Sequence, residues 1–208
     1  MPRIIPAILE KDITEIQKKL DLVKDVAELV QVDIADGKFV DNTTIKLEEL
    51  KSIKTDLHLE IHLMVENPRE YFQTCQELGA YRVFWHYEAD SDIDGAVAFA
   101  RTFSFKKGLV LNQESAIAKL QRSCQCLDGV MLMGIVPGKQ GQAFIPATVE
   151  RVRKLREVFS GSISVDGGVS EQNIKALIAA GATDLVTGSA LFGASDVAAQ
   201  FHKLESLL

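Results

Sequence analysis

Residues 162–188 of the chain are SISVDGGVSEQNIKALIAAGATDLVTG, a segment that holds one complete strand–helix–strand unit. The short run of β-branched and small residues at 162–166 predicts a strand. Ile174, Leu177 and Ile178 follow at the spacing of one helical face, and residues 184–188 predict a second strand. A strand, a helix and a strand in this order favour a parallel pair joined by a right-handed crossover.

The ends of the predicted helices carry residues that helix ends favour. Ser170 is the predicted N-cap of the helix in this unit. Gly181 closes the same helix directly before the next strand, and Gly79 stands in the equivalent place earlier in the chain. Glycine suits a helix end because it adopts the left-handed conformation at little cost.

The same alternation occurs eight times, with strands predicted at 4–9, 29–34, 57–64, 82–87, 107–111, 129–134, 162–166 and 184–188. Eight units in 208 residues fit one closed (β/α)8 TIM barrel, so the chain is predicted to be a single α/β domain over 1–208. The rival is an open doubly wound sheet. Such a sheet usually shows a glycine fingerprint after its first strand, and residues 7–10 carry none.

The acidic composition argues against several classes of partner. Lysine and arginine total 23 residues and aspartate and glutamate total 29, a formal net charge of −6. Nucleic acids and anionic membranes both favour a basic surface, so we expect neither as a partner. No apolar run reaches the roughly 18 residues of a membrane span, and the brief apolar start is too short for a signal peptide.

The three cysteines point to a reducing compartment. Cys75, Cys124 and Cys126 form neither an even disulfide framework nor a Cys-x-x-Cys pair. Such usage is typical of intracellular proteins. We therefore expect a cytoplasmic protein.

Polar residues stand at the ends of three predicted strands, where a barrel places its reactive groups. Because side chains alternate along a strand, Gln31 and Asp33 are predicted to point into the barrel from strand 2. By the same alternation His62 points inward from strand 3, and Asp166 from strand 7. A single aspartate at a strand end is more often a turn former or a helix cap. Three such ends at one mouth favour a shared site.

Strand 3 carries further residues on its inward face. His58 and Glu60 precede His62 on the same face of the strand, and we interpret them as a polar layer deeper in the barrel. Met64 ends the strand on the same face.

The convergent carboxylates predict a metal site. Burying Asp33 and Asp166 without partners is costly, so a cation or a substrate is expected to compensate them. With His62 they form a mixed oxygen and nitrogen set that is acceptable to Zn²⁺, Mn²⁺, Fe²⁺ or Co²⁺.

Glycine-rich loops predict a phosphate site beside it. Gly167 and Gly168 follow strand 7, and Gly188 and Ser189 follow strand 8 just before a helical stretch. Glycine allows close approach of the backbone, and free N–H groups at a helix start favour an anion. Loops 7 and 8 of barrels commonly hold phosphate. A third loop, residues 137–142, could close over the ligand; its spacing is not that of a P-loop.

With these residues in hand, the chain resembles the ribulose-phosphate 3-epimerase family over essentially its full length. The matching stretches are 32–37, 62–65, 86–88, 108–112, 137–138, 165–169 and 188–193, together with Phe39-Val40, Asn42, Met133, Gly141-Gln142 and Phe144-Ile145-Pro146. Their order and spacing are more specific than any one motif.

The resemblance implies an isomerase of the pentose phosphate pathway, which interconverts D-ribulose 5-phosphate and D-xylulose 5-phosphate at C3. It implies that Asp33 and Asp166 act as the acid and base. It also implies a divalent metal, often zinc, held by Asp33, His62 and Asp166. The matching positions that would line the substrate and phosphate site are His62, Met64, Met133, Gly138, Gly141, Gln142, Gly167, Gly168, Gly188 and Ser189.

The chain departs from the family pattern around the predicted mouth. Gln31 stands where the family has a second metal-binding histidine, so metal affinity is expected to fall or to be lost. Other departures are Ala7, Ala35, Lys38, Asp41, Gly134, Val136, Lys139 and Gln140.

Three functions stay open from the sequence. The first is an active ketose-phosphate 3-epimerase, and the second is a phosphosugar-binding homologue that has lost catalysis or serves regulation. The third is a decarboxylase of the related barrels, which use an Asp-x-Lys strand end; residues 33–35 lack that lysine. The partner in each case is a small phosphosugar, and self-association through outer helices would give a homo-oligomer.

Overall fold

Eight parallel strands close into one barrel in chain order in this computed structural model, which describes residues 1–120 and 124–208. The strands are β1 Arg3–Ile8, β2 Leu29–Ala35, β3 His58–Met64, β4 Arg82–His86, β5 Lys106–Leu111, β6 Gly129–Met133, β7 Ser162–Asp166 and β8 Asp184–Thr187. The barrel closes where β1 pairs with β8, with Ile5 opposite Val186. The predicted (β/α)8 barrel is confirmed.

The outer layer is mostly helical. The α-helices are α1 Ile13–Val23, α2 Phe72–Glu77, α3 Ile93–Ala100, α4 Ala147–Arg156, α5 Ile174–Ala180, α6 Ser189–Phe192 and α7 Val197–Glu205. Short 3-10 helices lie at Leu47–Ser52, Pro68–Tyr71, Tyr87–Ala89, Ile117–Leu120 and Cys124–Cys126. After β2 and β5 the described residues form 3-10 turns only. The α-helices that the strand–helix alternation predicts at these two places are not found among them.

Two helix ends confirm the glycine prediction, and one helix start does not follow the sequence. Gly79 and Gly181 adopt positive φ of +67° and +110°. The prediction of Ser170 as the N-cap of α5 is wrong, because that helix begins at Ile174 with Asn173 in the cap position. Ser170 instead donates its backbone N–H to the Asn173 side chain, in a turn that precedes the helix.

Side-chain alternation divides the apolar residues into two cores. Outward residues of the strands, such as Val32, Ile61 and Trp85, pack against the helices. Inward residues fill the middle of the barrel, and they include Ile5, Phe84, Val110, Met131, Met133 and Val186. The polar residues of the interior are thereby confined to the two ends of the barrel.

The lower end of the barrel holds a buried ion network. Arg82 donates to Glu60 Oε2 at 2.5 Å and to Asp184 Oδ2 at 2.6 Å, and Arg3 Nε donates to Asp184 Oδ1 at 2.9 Å. Glu60 is fully buried, which agrees with the predicted polar layer. His58, which was assigned to the same layer, is exposed at the barrel rim. The strand starts there, so its first residue lies outside the packed interior.

Two of the three cysteines lie among the described side chains. Cys75 and Cys126 are free thiols, and the side chain of Cys124 lies outside what the structure describes. Burial raises the pKa of the Cys75 thiol to about 12, so this cysteine is a core residue.

Candidate active site

Register places the three polar strand ends at one end of the barrel. Asp33 on β2 pairs with His62 on β3, and Asp166 ends β7 on the other side of the mouth. Asp33 and His62 are almost completely buried, and Asp166 is partly exposed. The convergence of these three side chains follows from alternation and closure together.

The cluster is tight. His62 Nδ1 lies 3.0 Å from Asp33 Oδ1 and 3.3 Å from Asp166 Oδ2. One ligand atom from each of the three residues lies within 4.8 Å of the others. The two carboxylates therefore face a common point, with the imidazole between them.

Gln31 completes this cluster from β2. Its Nε2 donates to Asp33 Oδ1 at 2.7 Å and to Asp166 Oδ2 at 2.8 Å, and lies 3.4 Å from His62 Nδ1. The prediction that Gln31 faces the site agrees with this geometry. Its amide bridges the two carboxylates.

Burial and charge determine the protonation of the cluster. Burial alone would lower the pKa of His62, but its hydrogen bonds with Asp166 and Asp33 raise that pKa to about 10. Burial raises the pKa of Asp33, against the lowering effect of its bond with His62. The imidazolium thus neutralises charge that would otherwise be buried unpaired.

His86 extends the cluster and was not selected from the sequence. Its Nε2 lies 3.0 Å from His62 Nε2, and its Nδ1 lies 3.5 Å from Glu88 Oε2. Burial lowers the pKa of His86 to about 4, which favours its neutral form. Alternation from Arg82 through Phe84 would have found this inward residue.

Two loops cover the mouth. The Phe39 ring, in the loop after β2, stands 4.7 Å from the His86 ring. Asn42 in the same loop donates to the carbonyl of Gly138, in the loop after β6, at 2.8 Å. Within the loop after β6, the Gln142 side chain donates hydrogen bonds to the carbonyls of Val136 and Lys139, which stabilises the loop.

The predicted phosphate loops lie at the ends of β7 and β8. Gly167 and Gly168 have positive φ, and Gly188 precedes α6, which begins at Ser189. A Cβ at Gly188 would stand 2.5 Å from the Gln140 amide. In this structure the Gln140 side chain therefore lies against the Gly188 backbone.

The remaining predicted substrate contacts lie around this mouth. Met64 is buried with Ala35 and Val40, below the loop that carries Phe39. Met133 ends β6 beside Asp166 and belongs to the interior core. Gly138 and Gly141 both have positive φ in the loop after β6.

The residues present fit a divalent cation. Zinc ligands lie roughly 2.0–2.2 Å from the ion, so two ligands of a tetrahedral ion lie about 3.3–3.6 Å apart. His62 Nδ1 lies 3.3 Å from Asp166 Oδ2, at the short end of this range, and 3.0 Å from Asp33 Oδ1, slightly closer than it. Gln31 also carries a buried Oε1 with no hydrogen-bond partner among the described residues, and amide oxygen is an acceptable ligand.

The barrel and the cluster at its strand ends define a (β/α)8 protein with the active-site layout of barrel enzymes. No helix in the described part of the chain is long and apolar enough to cross a membrane. Solved structures with the same fold include a mutant tryptophan synthase α-subunit from Pyrococcus furiosus, with a TM-score of 0.76. That match is 15% identical and covers 99% of this chain and 97% of the other, so it shows the fold alone.

Sequence comparison is more specific. The model of the ribulose-phosphate 3 epimerase family matches residues 3–192. The ribulose-phosphate 3-epimerase of Aquifex aeolicus is 34% identical and covers 100% of this chain and 97% of its own length. The enzyme of the same name from Bacillus subtilis is 32% identical, with 94% of each chain covered. The chain belongs to the ribulose-phosphate 3-epimerase family.

Proposed function

We propose that this chain is an isomerase that interconverts D-ribulose 5-phosphate and D-xylulose 5-phosphate by moving a proton at C3. The observation that carries the proposal is the convergence of Asp33 and Asp166 from β2 and β7 on one point, in a chain of this family. Both carboxylates are retained, and no observation favours a homologue that has lost catalysis.

Inversion at C3 needs a base on one face of the carbon and an acid on the other. The C3 proton is acidic because it lies next to the C2 carbonyl, and its removal gives an enediolate. Asp33 or Asp166 accepts this proton, and the other carboxyl group returns a proton to the opposite face. The direction of the reaction decides which of the two acts first.

Neighbouring groups hold the two carboxyl groups ready for this exchange. His62 and Gln31 both contact Asp33 and Asp166, which fixes the orientation of each carboxylate before substrate arrives. Such preorganisation lowers the barrier because little rearrangement is needed at the moment of reaction.

Asp33, His62 and Asp166 would hold the divalent cation that the family resemblance implies, with Zn²⁺, Mn²⁺, Fe²⁺ and Co²⁺ as candidates. When bound, the cation would supply Lewis-acid stabilisation of the negative charge that develops on the substrate oxygens. The protein residues bind the substrate and carry the protons.

We assign the phosphate group to the loops after β7 and β8. Support comes from the positive φ of Gly167 and Gly168 and from the position of Gly188 and Ser189 at the start of α6. The loop containing Gly138, Gly141 and Gln142 would close over the sugar, with Met64 and Met133 on the walls of the site. Binding the phosphate there would displace the Gln140 side chain.

Three broader features belong to the same proposal. Residues 1–208 act as one domain, because the strands of a single barrel span Arg3 to Thr187. The free thiols Cys75 and Cys126 suit a cytosolic location. A homo-oligomer would associate through the outer helices.

The test is an epimerase assay with D-ribulose 5-phosphate, run on chelator-treated protein with and without Zn²⁺, Mn²⁺, Fe²⁺ or Co²⁺. We expect formation of D-xylulose 5-phosphate. If the protein binds the phosphosugar saturably but shows no turnover in all of these conditions, the proposal is overturned and the binding homologue is favoured.

A further inference from the structure

The side chain of Gln31 contacts all three members of the Asp33–His62–Asp166 cluster. A primary amide nitrogen carries two N–H groups, and those of Gln31 are directed to the two carboxylates, at 2.7 and 2.8 Å. The same nitrogen lies 3.4 Å from His62 Nδ1. Hydrogen-bond donors of Gln31 therefore lie among the atoms that would ligate a cation.

The other end of this amide is unsatisfied. Gln31 is fully buried, and its Oε1 has no hydrogen-bond partner among the described residues. Buried acceptors without partners are uncommon in folded proteins and call for a specific reason. The terminal torsion of glutamine is broad and roughly two-fold, so a half-turn exchanges Nε2 and Oε1. After that turn Oε1 would face two carboxylates, which is favourable only with a cation between them.

We propose that Gln31 is a cation-responsive ligand that also sets the metal preference of the site. Its N–H groups join Asp33 and Asp166 when no cation is bound, and its Oε1 turns inward to coordinate a cation when one binds. This inference rests on the proposed function only in taking the cluster as the active centre.

The metal preference follows from the donor atoms. With Oε1 turned inward, the cluster offers oxygens from Asp33, Asp166 and Gln31 and one nitrogen from His62. Carboxylate and carbonyl oxygens suit Mn²⁺ and Mg²⁺, whereas imidazole suits Zn²⁺. The ratio of Zn²⁺ affinity to Mn²⁺ affinity is therefore lower with an amide at position 31 than with an imidazole.

Competition titration against a chromogenic chelator tests this inference on the full chain, with Zn²⁺ and Mn²⁺ as separate probes. Gln31→His should raise the Zn²⁺ to Mn²⁺ affinity ratio about tenfold or more. Gln172→His, which adds an imidazole at an exposed turn, is the matched control and should leave the ratio unchanged. An unchanged ratio in Gln31→His, or wild-type protein that binds neither ion, would overturn the proposal.

A second measurement uses wild-type protein, and a variant is needed only to assign the side-chain signals of Gln31. The side-chain N–H signals of Gln31 in ¹⁵N-labelled wild-type protein should shift on saturation with Zn²⁺, because the N–H groups leave the two carboxylates. Signals that keep their position at saturation would contradict the turn of the amide. Neither readout depends on turnover. A protein that gives both expected results but has no epimerase activity would contradict the proposed function and leave this inference standing.

Discussion

We propose Asp33 and Asp166 as the two groups that move the C3 proton, one on each face of the sugar. Asp33→Asn and Asp166→Asn keep the shape of each side chain and remove its ability to exchange a proton. Each variant is expected to lower kcat by about 10²-fold or more, with phosphosugar binding retained. Steady-state epimerase kinetics and a direct binding titration check this. Near-normal turnover in either variant would refute its role.

Glu88 gives a pH prediction beside the centre. Burial would raise the pKa of Glu88, but the contact with His86 and the hydrogen bonds from Ser115 and Asn112 lower it to about 2. A lowered folded-state pKa contributes stability above the unfolded value of 4.5, and this contribution is lost as pH falls toward 2.

Glu88→Gln removes this contribution to stability. Wild type should exceed Glu88→Gln in unfolding free energy at pH 7, and the difference should shrink below pH 4.5. Urea denaturation across this pH range measures it. Ser115→Ala, which deletes one donor to Glu88, should show a smaller effect in the same direction. A difference that stays constant with pH would contradict the assignment.

The residues of the site were predictable from alternation, but their contacts were not. Asp33, His62 and Asp166 lie at the inward ends of their strands, as period two requires. The bridging amide of Gln31 depends on the distance across the barrel mouth, which the strand pattern does not contain. His86 follows the same alternation and lies in the family-matching stretch 86–88, but the resemblance was not used to give it a role in the site.

Strands were easier to predict than the segments between them. Both ends of all eight strands lie within one residue of prediction, because β-branched runs stop at glycine, proline or polar residues. Ser170 misled because a favourable capping residue also suits the turn before a helix. Among the described residues, the segments after β2 and β5 form 3-10 turns, and the loop after β2 lies over the mouth.

Helix-ending glycines offer a matched pair of substitutions. Gly181 has φ of +110° and a Cβ there would stand 2.8 Å from Arg156 Cγ, whereas Gly79 has φ of +67° and open space. Gly79→Ala is expected to cost about 1 kcal/mol, the usual penalty for a left-handed alanine. Gly181→Ala should cost more, because the added methyl group must also displace Arg156. Thermal unfolding of both variants compares them, and equal losses would show that the crowding is unimportant.

The barrel holds two groups of buried charges, one at each end. The group at the mouth forms the candidate active site, and the group at the lower end contributes to stability. At the lower end, Arg82 lies between Glu60 and Asp184, all three buried. Burial raises the pKa of Glu60 to about 6, against the lowering effect of Arg82. This network is structural, because it lies on the far side of the apolar interior from the mouth.

Arg82→Met tests that role. Removing the guanidinium leaves the buried Glu60 without its cation and Asp184 with Arg3 alone, and about 3–5 kcal/mol of unfolding free energy should be lost. Arg153→Met is the control, since Arg153 forms an exposed pair with Glu150 and should contribute at most about 1 kcal/mol. Chemical denaturation measures both. Similar small losses would mean that the network contributes little.

Isotope incorporation tests whether two carboxyl groups exchange the proton at C3. D-ribulose 5-phosphate incubated with the protein in D₂O should yield D-xylulose 5-phosphate that carries deuterium at C3, seen by NMR as loss of the C3 proton signal. Product that keeps its original hydrogen at C3, or formation of no epimer at all, would contradict the account.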